Sequence, residues 1–360
     1  MGTPRTRDEG RRREGASLSD ILLGVKAAVL HAPGELTVES LARPAASGDD
    51  VLVRVTMAGL CGTDYSIWSG GRPVAYPRIM GHELVGRVES VGASVDRARV
   101  GDRVVVEPNY SCGRCPLCLE GNRNLCLSRT TIGIDVDGGF AELVRVPARC
   151  VWRVPDAVSD PQVLVTEPLA VVVRAVNRGT PRPGETAAVV GAGSLGLLAI
   201  QVLRARGLRT LAVSRTERRF ALARELGADA THPVRSAEDL GEASRHFSGR
   251  EGVDLVVETA GSPEAVAHAL ALVRPGGRVV LTGLPHEPTP VSFFGVVRRE
   301  ITIVGSMVYQ GEFPEALALV GSGAVRGEPL LTHRYGLDRI ADAFAAHRDP
   351  ASIKVALMIA

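Results

Sequence analysis

Two groups of potential metal ligands lie in the first 130 residues of this 360-residue chain. The first group consists of a thiol at Cys61, an imidazole at His82 and a carboxylate beside it at Glu83. Sulfur, nitrogen and oxygen donors in this combination hold Zn²⁺ with one coordination position open, which is the arrangement that catalysis requires. These three residues therefore predict a catalytic zinc site.

The second group is four cysteines within fifteen residues, at Cys112, Cys115, Cys118 and Cys126. The first three are separated by two residues each, so short turns can aim successive sulfurs at one ion. Four thiolates leave no open position, and the zinc that they predict is structural. Disulfides are the alternative, which a reducing compartment disfavours. Cys150 fits neither group and is expected to be a buried structural thiol.

A glycine-rich turn marks a third candidate site. The segment 191–196 reads GAGSLG; it follows the apolar residues 187–190 and precedes a run with helical periodicity. Between a buried strand and a helix, this pattern lets backbone N–H groups and the helix N-terminus approach a pyrophosphate. We therefore predict that a dinucleotide contacts Gly191, Gly193, Ser194, Leu195 and Gly196. The alternative is a glycine-rich turn without a ligand.

The residues that follow the next predicted strand, at 210–213, indicate whether the dinucleotide is NAD or NADP. Ser214 and Arg215 follow this strand, where an enzyme specific for NAD has an acid that binds both ribose hydroxyls. A hydroxyl and a guanidinium fit a 2′-phosphate, so NADP is favoured and NAD is the alternative. Arg219, Thr259 and Gly283 complete the predicted cofactor site. Alternatively, the arginines only begin a solvated helix.

The surrounding pattern predicts an α/β fold with two domains, which the chain length also favours. Short strands dominate up to about residue 155, whereas strands alternate with helices from about residue 186, which predicts a parallel sheet covered by helices. We assign a β-rich domain to residues 25–178 and 315–360, with the cysteine lobe at 108–127. A doubly wound domain is assigned to residues 179–314.

Composition and termini exclude several other classes of protein. The formal net charge of +2 gives no reason to expect nucleic acid or an anionic membrane as a partner. Residues 1–24 contain clustered arginines and acids without the apolar region of a secretory signal, and we expect a disordered extension. The longest uncharged run, at 186–203, is interrupted by the glycine turn. We expect a soluble cytoplasmic protein that acts on a small molecule.

From Lys26 onward, the chain resembles the zinc-dependent medium-chain dehydrogenase/reductase superfamily, in particular its sorbitol and threonine dehydrogenase branch. The resemblance is carried by residues 81–86, which read GHELVG, by Gly92 and Val95 after them, and by the order of the cysteine lobe and the glycine turn. It implies a GroES-like catalytic domain interrupted by a Rossmann domain, with the active site in the cleft between them.

The resemblance also implies roles for individual residues. Cys61 and His82 match catalytic zinc ligands, and Glu83 and Glu167 match two glutamates that share the metal directly or through water. Thr63 matches the hydroxyl that passes a proton from the substrate. Ser66 departs from the pattern, because many relatives have a histidine of the proton relay there.

The implied reaction is hydride transfer between a nicotinamide cofactor and a secondary alcohol or ketone of polyol, sugar or cyclitol type, with Zn²⁺ as a Lewis acid. The serine at position 66 also occurs in some aminocyclitol dehydrogenases. Two zinc ions per chain and a homo-oligomer, dimer or tetramer, are expected by the same analogy. The alternatives are a biosynthetic NADPH-dependent ketoreductase and a non-catalytic protein that binds zinc and a nucleotide.

Overall fold

The fold is described from a computed structural model, which covers residues 24–284 and 288–359. The predicted disordered extension at 1–24 therefore lies, apart from Gly24, outside the described residues. No helix within these two ranges is both long and apolar enough to cross a membrane.

The strands, in chain order, are β1 (Val25–Ala32), β2 (Glu35–Leu41), β3 (Asp50–Leu60), β4 (Arg78–Ile79), β5 (Glu83–Val91), β6 (Arg103–Val106), β7 (Asn109–Tyr110), β8 (Thr130–Thr131), β9 (Leu143–Pro147), β10 (Val151–Arg153), β11 (Thr186–Val190), β12 (Arg209–Ser214), β13 (Ala230–Pro233), β14 (Val253–Glu258), β15 (Val273–Leu281), β16 (Thr302–Gly305), β17 (Leu331–Gly336) and β18 (Lys354–Met358).

The α-helices are α1 (Gly62–Trp68), α2 (Pro116–Leu119), α3 (Asp160–Val163), α4 (Thr166–Arg178), α5 (Ser194–Ala205), α6 (Phe220–Glu225), α7 (Ala237–Ser248), α8 (Pro263–Leu272), α9 (Phe293–Arg298), α10 (Phe313–Gly321) and α11 (Ile340–His347).

The β-rich domain is built on a mixed sheet of seven strands. Six of them follow the order β10-β6-β5-β3-β18-β17, and β9 also pairs with β3. Strand β18 thus lies inside the sheet, between β3 and β17. One large apolar cluster, which includes Phe140 and Phe344, packs on this sheet.

The second domain is a parallel sheet of six strands in the order β13-β12-β11-β14-β15-β16. Its central strand β11 is buried along its whole length. Ala187 and Val189 belong to one apolar cluster, and Ala188 and Val190 to another. A strand with an apolar cluster on each face is typical of a sheet covered by helices on both sides. The predicted α/β class and doubly wound domain are therefore confirmed.

Two local features were not apparent from the sequence. Cys61 is the residue directly before helix α1. Helix α5 is buried continuously from Gly196 to Leu203 rather than on one face only. Helix α5 packs against both the parallel sheet and α4, so all sides of this segment are covered. A single-face pattern underestimates burial in such a helix.

Candidate active site

Three strands bring the candidate catalytic residues to one edge of the mixed sheet. Strands β5 and β18 both run antiparallel to β3 and lie on either side of it. The C-terminal end of β3 therefore meets the first residues of both neighbours. Gly59 pairs with Glu83 on one side and with Ala356 on the other. This register places Cys61, Glu83 and Lys354 together.

Cys61, His82 and Glu83 form a compact group of donor atoms. One ligand atom from each lies within 4.8 Å of the other two, and both His82 and Glu83 are buried. Zinc bonds of about 2.0–2.3 Å bring the ligands of one ion to roughly 3.3–3.8 Å from each other. The side chains are thus close to the spacing that a zinc ion requires, and their donor set fits the metal.

Asp64 lies behind the histidine and is completely buried. Its Oδ2 accepts a hydrogen bond of 2.9 Å from the Cys61 N–H, and its Oδ1 is 3.3 Å from Nδ1 of His82. Burial lowers the pKa of His82, but the charges of Asp64 and Cys61 and the hydrogen bonding to them together raise this pKa well above its usual value. A carboxylate behind a ligand histidine orients the ring and leaves Nε2 for the metal. The sequence analysis assigned no role to Asp64.

Lys354 is a second buried charge that the sequence analysis missed. Its Nζ forms an ion pair with Oε1 of Glu83, and both side chains are almost inaccessible to solvent. Burial lowers the pKa of Lys354, but the charges of Glu83 and Cys61 outweigh this effect and raise it. A lysine within the otherwise apolar segment 353–357 was the available signal, because lysine is rarely buried unless it is paired.

The other carboxylate oxygen of Glu83, Oε2, has no hydrogen-bond partner among the described residues. It packs against the backbone of Gly59, where a Cβ atom would lie 2.3 Å away. A side chain at position 59 would therefore displace the Glu83 carboxylate. A buried oxygen without a partner costs about 1–3 kcal/mol, and more when it is charged. A cation beside Cys61 and His82 would satisfy it.

Glu167 and Thr63 lie around this group. Glu167 is in the first turn of α4 and is 8% exposed. Its carboxylate is not part of the compact group of Cys61, His82 and Glu83. Burial raises the pKa of Glu167 to about 7, with His82 opposing and Glu83 adding to the rise, so it is within electrostatic reach of the group. Thr63 is half-buried in the first turn of α1.

The four cysteines of the lobe also converge. Their Sγ atoms lie within 4.8 Å of one another, with separations of 3.5 Å between Cys115 and Cys118, 3.5 Å between Cys112 and Cys126, and 3.9 Å between Cys115 and Cys126. A tetrahedron with Zn–S bonds of about 2.3 Å has edges of about 3.8 Å. The cysteines are not joined as disulfides. This geometry fits a closed zinc site.

Within the lobe, the surroundings favour the thiolate of Cys112 but not that of Cys118. Hydrogen bonds from the backbone of Arg114 and Cys115 lower the pKa of Cys112 to about 6, whereas burial raises the pKa of Cys118 to about 11. Cys150, outside the lobe, is also buried, and burial raises its pKa to about 12. A thiol of this kind stays protonated and packs as a small apolar side chain.

The predicted cofactor residues lie at the carboxyl ends of the parallel strands. The strand order reverses between β11 and β14, and ligands of open α/β sheets bind outside this point. The glycine turn joins β11 to α5, and Thr259 and Gly283 follow β14 and β15. Thr259 Oγ1 donates a hydrogen bond of 2.9 Å to the carbonyl oxygen of Val190. These residues therefore lie at the same edge of the parallel sheet.

The glycine turn is tightly closed. Gly191 has a φ of 102°, which is the left-handed region. A Cβ atom at Gly196 would lie only 1.8 Å from the Gly191 carbonyl oxygen, so no larger residue fits there without moving the turn. Both glycines are needed for the close approach of helix and strand that a pyrophosphate site requires.

The two arginines predicted for the cofactor site have different surroundings. Ser214 is the last residue of β12, and Arg215 after it is exposed and makes no hydrogen bond or ion pair within the described chain. Arg219 donates instead to the carbonyl oxygen of Ala192, at 3.1 Å, and to those of Pro350 and Ser352. Its guanidinium thus links the glycine turn to the C-terminal segment of the other domain.

Comparison with known proteins matches the chain to two protein families. Residues 47–156 match the family described as alcohol dehydrogenase GroES-like domain, and residues 194–322 match the family described as zinc-binding dehydrogenase. The sorbitol dehydrogenase of Bacillus subtilis (strain 168) is 37% identical over 327 residues, which cover 89% of this chain and 92% of the relative.

Two solved structures are similar to this chain over most of its length. A zinc-binding dehydrogenase from Sinorhizobium meliloti 1021, bound to NADP, has a TM-score of 0.88 and 33% identity over 93% of this chain and 99% of that one. An alcohol dehydrogenase from Escherichia coli CFT073, complexed with NADH, has a TM-score of 0.87 with the same identity and coverage. Together with the donor sets and the glycine turn, these similarities show that the chain belongs to the zinc-dependent medium-chain dehydrogenase/reductase superfamily of enzymes.

Proposed function

We propose that this protein transfers a hydride between NADP and a secondary alcohol or ketone of polyol, sugar or cyclitol type. The observation that carries the proposal is the group of Cys61, His82 and Glu83, which presents three zinc donors at an edge of the sheet. Oxidation would convert the alcohol and NADP⁺ to the ketone, NADPH and a proton. Zn²⁺ held there would supply a Lewis acid for the substrate oxygen, and the closed cysteine lobe would hold a second, structural ion.

The chain's own residues then have separate tasks. Cys61, His82 and Glu83 would hold the catalytic ion, with Asp64 orienting the histidine. Glu167 would lie beside the ion, directly or through a water molecule. Thr63, two residues after Cys61, would take the proton from the substrate hydroxyl. Ser66 carries no imidazole, so the route of that proton beyond Thr63 must differ from that of relatives with histidine there.

A relative supports a hydroxylated substrate. The sorbitol dehydrogenase of Bacillus subtilis, which is named for a polyol, is 37% identical to this chain over 92% of its own length. A site that hydrogen-bonds substrate hydroxyls discriminates against a long aliphatic alcohol that lacks them.

The proposal is tested with purified protein, zinc analysis, both cofactors and a panel of cyclitols, sugars, acyclic polyols and simple aliphatic alcohols. About two zinc ions per chain and appearance of the reduced-nicotinamide absorbance with polyols support it. Turnover of ketones alone would favour the biosynthetic reductase. One zinc ion and no turnover in either direction would favour a binding protein instead.

Arg215 should decide the choice of cofactor. Arg215→Asp replaces an exposed cation with an acid that repels a 2′-phosphate and accepts hydrogen bonds from ribose hydroxyls. Charged hydrogen bonds contribute about 1.5–3 kcal/mol, so the ratio of kcat/KM for NADP⁺ to that for NAD⁺ should fall roughly 10- to 100-fold or more. Arg218→Asp, an equal charge change at an exposed neighbour, is the control. An unchanged ratio in Arg215→Asp would reject the NADP assignment.

We further propose that the protein forms a homo-oligomer in which two copies associate through strand β16, one of the two outer strands of the parallel sheet. Strand β16 forms that edge, and α9 just before it exposes Phe293, Phe294 and Val297 by 69%, 75% and 76%. An open strand edge beside large exposed apolar side chains is typical of an association surface. Light scattering should give at least twice the chain mass of 38.0 kDa, and Phe294→Asp should reduce it. A monomeric wild type would contradict this proposal.

A further inference from the structure

The side chain of Arg219 bridges the two domains. Arg219 ends a short 3₁₀ turn that begins at Glu217 and leads directly into α6. Its Nη1 donates a hydrogen bond of 3.1 Å to the carbonyl oxygen of Ala192, in the glycine turn. Its Nη2 donates to the carbonyl oxygens of Pro350 and Ser352, which lie between α11 and β18. One guanidinium therefore connects the predicted pyrophosphate site to the domain that carries the metal-binding groups.

These contacts make Arg219 a poor ligand for a phosphate. A guanidinium binds phosphate most strongly through two neighbouring N–H groups on one edge. Each of the two edges that can do this includes Nη2. In Arg219, Nη2 has two carbonyl oxygens as acceptors, so both of its N–H groups are engaged. Arg215, which makes no hydrogen bond within the described chain, is better suited to a 2′-phosphate.

One end of the bridge orients a peptide group of the glycine turn. The peptide bond between Ala192 and Gly193 is trans, so its C=O and N–H point in opposite directions. Because Arg219 holds the C=O, the Gly193 N–H points away from the guanidinium. This N–H has no acceptor within the described chain, and Gly193 is the residue before the first turn of α5. The N–H is therefore available to a pyrophosphate, and Arg219 determines its direction.

The other end of the bridge is a turn with a defined structure. The Ser352 N–H donates to the Asp349 carbonyl oxygen at 2.8 Å, and the Ile353 N–H donates to Thr332 Oγ1, in β17, at 3.0 Å. Ser352 is buried, and β18 begins two residues after it. The carbonyl groups that Arg219 contacts are thus held by the mixed sheet.

We propose that Arg219 is a positioning residue: it orients the peptide between Ala192 and Gly193 for the cofactor pyrophosphate and fixes the glycine turn relative to the mixed sheet. The pyrophosphate is common to NADP and NAD, so Arg219 supports the binding of both cofactors equally. The inference rests on the proposed function only for the choice of NADP as the preferred cofactor.

The decisive variant is Arg219→Ala, with cofactor binding measured on the purified, zinc-loaded full chain by nicotinamide fluorescence. A hydrogen bond to a charged group changes an equilibrium by about tenfold or more. We expect the Kd values for NADPH and NADH each to rise at least about tenfold, with an unchanged ratio between them. Arg219→Lys should recover part of the affinity, because an ammonium group still donates to carbonyl oxygens. Arg218→Ala, at an exposed neighbour without a hydrogen bond in the described chain, should bind both cofactors normally.

Hydrogen exchange tests the contact between the domains without any cofactor. In Arg219→Ala, the amide protons of Ser352 and Ile353 should exchange faster than in the wild type, because the turn that contains them loses its outer contact. Arg218→Ala should exchange at the wild-type rate at both positions.

A loss of NADPH affinity with unchanged NADH affinity would mean that Arg219 binds the 2′-phosphate and would overturn the inference. Wild-type affinity for both cofactors in Arg219→Ala, or wild-type exchange at Ser352 and Ile353, would overturn it as well. None of these measurements needs turnover. A wild type that binds NADH more tightly than NADPH would therefore refute the NADP assignment while still deciding the role of Arg219.

Discussion

Replacing Cys61 with alanine is expected to lower zinc content from two ions per chain to one and to reduce kcat/KM by about 10³-fold or more. A Lewis acid at the reacting oxygen contributes several kcal/mol to the transition state, and each 1.36 kcal/mol corresponds to about tenfold in rate. The fold should persist, because Cys61 is only partly buried and lies at the N-terminus of α1, outside the apolar core. Zinc analysis, steady-state kinetics and circular dichroism measure the three expectations.

Cys150→Ala provides the matched control, since this cysteine is buried outside both groups of ligands. It should keep both zinc ions and near-normal kinetics, with a modest loss of stability from the missing sulfur. Two zinc ions in Cys61→Ala, or full activity with one, would show that the catalytic ion lies elsewhere.

The second large effect is expected for Lys354→Met. Methionine retains much of the side-chain volume but leaves the buried carboxylate of Glu83 without its cation. Removing one partner of a buried ion pair typically costs about 3–5 kcal/mol. With zinc bound, the metal ion compensates the same charge. The loss in free energy of unfolding should therefore be largest in chelator and smaller with zinc, as urea denaturation in both conditions will measure.

Lys354→Arg keeps the positive charge and should lose much less stability. Adding Glu83→Gln to Lys354→Met removes the unpaired charge, so the double variant should be more stable than Lys354→Met alone in chelator. An equal loss in Lys354→Met with and without zinc would mean that Glu83 is not close enough to the metal to be compensated by it.

The features that could be predicted from the sequence are those that depend on residues close together in the chain. The four cysteines of the lobe lie within fifteen residues, so turn geometry alone brings them together. The glycine turn is likewise read from one strand and one helix. The strands predicted at 187–190 and 210–213 match β11 and β12, because apolar runs are local signals.

Contacts between residues that are far apart in the sequence could not be predicted, because they depend on sheet register and on long connections. Lys354 is 271 positions from Glu83, and the hydroxyl of Tyr309 is 200 positions from Asn109, which donates a hydrogen bond to it. Neither pair has a motif, and each contact exists only because of how distant segments pack. Arg219 is a different case: its charge suggested a phosphate ligand, but only the fold reveals the carbonyl groups that surround it. Local chemistry does not determine which partner a long side chain reaches.

The position of β18 between β3 and β17 also has a consequence for how the protein is made. Domains generally fold in the order of synthesis, and the segment from β11 to β16 contains all the strands of its own sheet. The mixed sheet must wait for β17 and β18, which are synthesised after every strand of the parallel sheet, because β3 acquires one of its neighbours only then. The parallel sheet can therefore form on the ribosome before the mixed sheet has all of its strands.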